Sequence, residues 1–157
     1  MGLGYVDSVI VYNRYVDSLM EIEYYVGTRF DNVRVELNQG ANIRTSGMEN
    51  ADSCLVKIPN NGTLPKPYKA PKEWLNTPNE EKLECFTFDP DNKDFFTIIK
   101  KSELGVDVTE LPEGLVKSKD FSKNGFYQHI RGKYGYTYAM HTADVYNLIP
   151  RFEVSGQ

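Results

Sequence analysis

Between Ile22 and Ile58 apolar and polar residues alternate in short segments bounded by Gly- and Asn-rich punctuation, a period of two that suits strands and not helices. In NVRVELN, Val33, Val35 and Leu37 point one way while Arg34 and Glu36 point the other. In SCLVKIP, Cys54, Val56 and Ile58 share a face, and Pro59 stops the run. The stretch predicts an all-β or mainly β fold, a small antiparallel β-barrel or sandwich with long loops. Between the two segments lies NQGANIRTSGMENAD, too long for a tight hairpin and therefore a candidate for function. It sets Arg44 among small residues, a composition equally suited to reaching into a partner and to plain surface.

The flanking sequence extends the same pattern. VIVYNRYV predicts a first strand, with Ile10 and Tyr12 against Val9 and Val11. In DSLMEIEYYVG, Ile22, Tyr24 and Val26 alternate with Glu21, Glu23 and Tyr25; β-branched residues and tyrosines favour a strand over a short helix. TRFDNVRVELNQ continues it, with Asp31-Asn32 as a turn or bulge. From Asn60 to Glu81 prolines accumulate (Pro65, Pro67, Pro71, Pro78), which excludes a central strand and predicts an extended insertion with one helical turn near Lys72–Leu75. KLECFTF and FFTIIKKSELG predict two further strands, separated by the turn DPDNKD. LPEGLVKSKDFSKNG predicts a turn or short helix, and the tail ends in a strand pairing Phe152 with Val154 on one face. No linker divides the 157 residues, so a single domain is expected.

Composition narrows the function without choosing it. Eleven Tyr and eight Phe suit half-buried strands and also interfaces, because Tyr buries its ring while keeping its hydroxyl wet. A net charge of −4 argues against a general phosphate-binding surface and leaves room for a local basic patch. Cys54 and Cys85 lack CxxC spacing and are expected as two buried thiols. No long apolar run and no leader pattern occur, which predicts a protein that stays where it is made or joins a particle assembled there.

Catalytic signatures are sparse. His129 and His141 have no neighbours at metal-ligand spacing, and DPDNKD lacks the Gly and distal Glu of a calcium loop. Glu80, Glu81 and Glu84 fit a solvated face, and nucleophile-elbow and phosphate-loop motifs are absent. These features predict a non-enzymatic protein with no cofactor and no small-molecule substrate. The segment IRGKYGYTY carries more weight: Arg131 and Lys133 interleave with Tyr134, Tyr136 and Tyr138, the basic–aromatic mixture of a nucleic-acid platform. Its glycines equally suit a polar hairpin tip between strands.

VYNRY (Val11–Tyr15), VRVELNQGANIRTSGMENADSCLVKIP (Val33–Pro59) and IPRFEVSG (Ile149–Gly156) together resemble small minor capsid or head–tail connector proteins from phages and prophages of Gram-positive bacteria. The nearest functional analogue is the head-closure, or stopper, protein. The resemblance implies a small barrel with a long loop, assembled as a homo-oligomeric ring between portal or adaptor and tail, where it helps retain DNA and dock the tail. It implies a place in the virion at the head–tail junction, assembly in the host cytoplasm, passing contact with DNA and no membrane. Gly40, Asn42, Arg44, Ser46, Met48 and Asn50 would then line a lumen or an inter-subunit contact. Arg131, Lys133, Tyr134, Tyr136 and Tyr138 are the candidates for partner or DNA contact. The Pro-rich insertion departs from the compact stopper pattern and keeps a tail terminator or completion protein in view, beside a phage-encoded nucleic-acid-binding or inhibitor module.

Overall fold

The computed structural model describes residues 5–38, 53–146 and 151–157. The loop candidates Gly40, Asn42, Arg44, Ser46, Met48 and Asn50 lie outside the described residues. The chain is mostly β, in the order β1 (Asp7–Asp17), β2 (Ile22–Asn38), β3 (Ser53–Pro59), α1 (Pro71–Leu75), β4 (Phe95–Lys101), β5 (Val106–Asp107), β6 (Gly114–Lys117), α2 (Phe126–Lys133), β7 (Thr137–Tyr146) and β8 (Arg151–Gly156). All ladders between strands are antiparallel, along the path β1-β2-β3-β8-β7-β4-β5. A further pairing of Ser8–Tyr12 with β4 joins β1 back to that path, so the sheet closes partly in a ring.

The alternation in β1 serves two cores at once. Val9 and Val11 enter the main core with Phe30, Val35, Val56 and Phe152, whereas Ile10 and Tyr12 enter a second one with Tyr25, Phe95, Phe126 and Ile130. The first lies within the ring of strands. The second lies on the outer face of β1, β2 and β4 and is roofed by α2, whose Phe126 and Ile130 sit four residues apart on its buried side. Burying side chains of that size stabilises by about 2 kcal/mol each. Cys54 and Cys85 are both free and buried, and burial pushes the Cys54 thiol up to about 12.

Strand β2 runs through Asp31-Asn32 as expected for a bulge. Asn32 takes φ +57°, the register slips between Asp7 and Val9, and Asp31 accepts hydrogen bonds from Ser8 Oγ and Arg29 Nε. Before the bulge β2 pairs with β1; beyond it, from Arg34, it pairs with β3.

Three expectations are corrected. KLECFTF is not a strand: Asn79–Glu84 winds as a 3₁₀ helix, and only the bridge Tyr68–Phe86 follows it. Its alternation has another origin, since Cys85, Phe86 and Phe88 are all buried as the segment crosses the open end of the core. The Pro-rich stretch is consequently no loose excursion. Trp74 is 1% exposed, and Tyr68 packs on Phe86, Phe88 and Phe152. Finally, Gly114–Lys117 is a strand, β6, paired to Tyr24–Gly27, and the residues from Phe126 to Lys133 form helix α2.

Candidate interaction surface

The β1–β2 hairpin outruns the ring that supports it. β4 pairs with β1 only as far as Tyr12, so Asn13–Asp17 and their partners Ile22–Val26 project beyond the last β4 rung. Strand ends that lose a neighbour leave backbone groups to satisfy. Here side chains substitute for the missing strand. Asp94 Oδ1 accepts the Arg14 N–H at 2.8 Å, and Asn92 Nδ2 donates to the Arg14 carbonyl. On the other face the Asn13 amide donates to the Thr87 carbonyl at 2.6 Å and accepts from the Thr87 N–H at 3.3 Å.

Asp94 is the centre of this repair. Besides Arg14 it accepts from Asn13 Nδ2 at 2.8 Å and from the Asp89 N–H at 3.0 Å. Burial pushes Asp94 well above the usual carboxylate range, opposed by those three donors, which favour its ionised form.

Each face of the projecting hairpin is covered by a different segment. On the face of Tyr15 and Val26 sits the Pro-rich segment, through Trp74 and Cys85. Lys82 seals it: its ammonium donates to the Thr77 carbonyl and Asn79 Oδ1 and stands 5.0 Å from the Tyr15 ring centre and 5.6 Å from that of Trp74. On the opposite face, that of Tyr12 and Tyr25, sits α2. Ser118 ties α2 to the hairpin by accepting the Phe126 N–H at 2.8 Å and donating to Glu23 Oε1 at 2.6 Å. Burial opposes the charge of Glu23, but the bonds from Ser118 and Arg14 outweigh it and hold its carboxyl below the usual range.

The tip itself is apolar and held. Leu19 is 92% exposed and Met20 66%, with Val16 exposed nearby. Asp17 fixes their backbone, its carboxylate accepting the Leu19 N–H at 2.9 Å and its carbonyl accepting the Glu21 N–H at 2.6 Å. Scattered exposed apolar residues are ordinary, but three within five positions on one braced hairpin form a contact surface. The signal in the sequence was the pair Leu19-Met20 between Asp17 and Glu21, at the point where two alternating runs meet.

IRGKYGYTY does not form one platform. Arg131 and Lys133 are exposed on α2, and Lys133 stands 5.7 Å from the ring centre of Tyr134, which is half-buried against the outer core. Tyr136 is half-buried against the main core, and Tyr138 is 5% exposed and stacked on Phe96. Tyr138 is thereby corrected from a contact residue to a core residue of β7. Among the described residues, no three His, Cys, Asp or Glu side chains converge as a metal site, and no helix is long and apolar enough to cross a membrane.

The family model DUF6751, described as a family of unknown function, matches residues 5–131, which span the hairpin, both of its covering segments and nearly all of α2. No curated protein and no solved structure matches the chain.

Proposed function

The chain belongs to DUF6751, a family of unknown function, and we propose that it is a non-enzymatic structural protein of a multi-subunit assembly, stopper-like in place, at a phage head–tail junction. The observation that carries the assembly role is the braced hairpin, which ends in Leu19 and Met20 at 92% and 66% exposure. Holding two large apolar side chains in water on a backbone fixed by Asp17 is costly unless a partner covers them. The particular assembly comes from the resemblance of VYNRY, Val33–Pro59 and Ile149–Gly156 to connector proteins.

The test is location. The chain is mixed with the portal, adaptor and tail proteins of its neighbouring genes, and the complexes are weighed in native conditions and imaged. Density for the chain between portal and tail supports the stopper role, and density at the tail end reassigns it to a terminator. A chain that joins none of them overturns the head–tail reading. Leu19→Ser with Met20→Ser should weaken joining while leaving thermal stability unchanged, because the tip packs on nothing in the isolated chain.

A further inference from the structure

The two segments that cover the hairpin carry opposite charge, and they do so on opposite faces of the same pair of strands. From Lys117 to Lys133 there are five cations (Lys117, Lys119, Lys123, Arg131, Lys133) against the single carboxylate Asp120. This lies within a chain whose net charge is −4. From Pro71 to Glu84 the exposed groups are Glu73, Glu80, Glu81 and Glu84 against Lys72, since Lys82 is buried beneath Tyr15 and Trp74. The topology fixes their separation. Tyr12 and Tyr25, under α2, point to one side of the hairpin; Tyr15 and Val26, under Trp74, point to the other. Each face also shows one large apolar side chain among its charges, Phe121 on the basic side and Leu75 on the acidic side.

We propose that these faces join copies of this chain head to tail, the acidic Pro71–Glu84 face of one copy against the basic Lys117–Lys133 face of the next. The charges favour a second copy over a nucleic acid because each molecule carries both complementary surfaces, set back to back across one rigid hairpin. A face meeting a different face is a heterologous contact, which propagates and closes into a ring when the rotation per step allows. Opposed charge selects the partner and its orientation, and Leu75 and Phe121 supply the buried apolar contact. The inference deepens the assembly reading by naming the contact between copies. Its test uses the purified chain alone, so it fails or stands separately from the place in a particle.

The experiment is a charge swap followed by sedimentation and light scattering. Wild type should associate at low ionic strength and dissociate as salt shortens the screening length. Glu80→Lys with Glu81→Lys makes both faces basic, and Lys119→Glu with Lys123→Glu makes both faces acidic. Each double variant alone should raise the dissociation constant about tenfold or more, since like charges then face each other. An equimolar mixture of the two should associate again, which also shows that both fold. A wild type that stays monomeric at low salt overturns the proposal, as does a mixture that fails to recover association. A basic face that binds a DNA oligonucleotide while the chain does not self-associate assigns that face to nucleic acid and equally overturns it.

Discussion

Gly27 stands directly across the ladder from Tyr12, and a Cβ placed on it would lie 2.7 Å from the Tyr12 ring. The Tyr12 ring therefore crosses the neighbouring strand where a side chain would otherwise stand, and its hydroxyl reaches the Pro112 carbonyl at 2.8 Å. Gly27→Ala should destabilise by about 1–3 kcal/mol, the usual cost of overpacking. Urea unfolding measures it. In a Tyr12→Leu background the same substitution should cost less, and equal costs in both backgrounds would refute the contact.

Val35 is 3% exposed and pairs with Val56 inside the main core. Val35→Asp should cost about 3 kcal/mol or more, because a carboxylate there is buried without a partner or forces β2 out of the ring. A thermal midpoint equal to that of wild type would mean that the inward face of β2 is misassigned.

Glu23 supplies a pH dependence whose sign follows from its depressed carboxyl. A carboxylate with a folded pKa below its unfolded value adds stability above the unfolded value, near 4.5, and loses it as pH falls through the folded value. Glu23→Gln should therefore be less stable than wild type at neutral pH, with the gap closing as pH drops below about 4.5. Unfolding free energies from pH 7 to pH 3 test this, and a gap that widens in acid contradicts it.

Trp74 is the chain's single tryptophan, so its emission reports the docking of the Pro-rich segment alone. In the native protein the band should be blue-shifted and poorly quenched by acrylamide, as suits 1% exposure. Lys82→Ala removes the ammonium between Thr77, Asn79 and the two rings and should shift emission to the red. Lys82→Met keeps the apolar stem over Tyr15 and should lie between the two. Unchanged emission in Lys82→Ala would show that the lysine does not hold the segment.

Where a strand keeps one register between two packed faces, its sequence announces it. That is why β1, β2, β3, β4 and β8 were legible with their faces, down to Val9 and Val11 against Ile10 and Tyr12. The bulge at Asp31-Asn32 was legible because those residue types tolerate positive φ. KLECFTF misled for a physical reason: it is buried between the hairpin and β8 without laddering, and irregular burial can imitate a period of two. The interaction surface was less legible still. Tyr138 looks like a platform tyrosine in a list of residues and turns inward only because β7 begins at Thr137. The opposed charges of Glu80 and Lys119 lie far apart in sequence, and only the hairpin between them reveals that they sit back to back.

The length of β2 has a mechanical consequence. Its seventeen residues run without a break from Ile22, just after the apolar tip, to Asn38, where the chain leaves the sheet for residues 39–52. At about 3.3 Å per residue that is a strut of roughly 55 Å, braced along its way by β1, β6 and β3 in turn. Load applied at Leu19 travels through covalent backbone to the far end, and the left-handed residue Asn32 is where the strut has its one built-in kink. A partner that grips the tip therefore pulls on the same strand that carries the 39–52 segment.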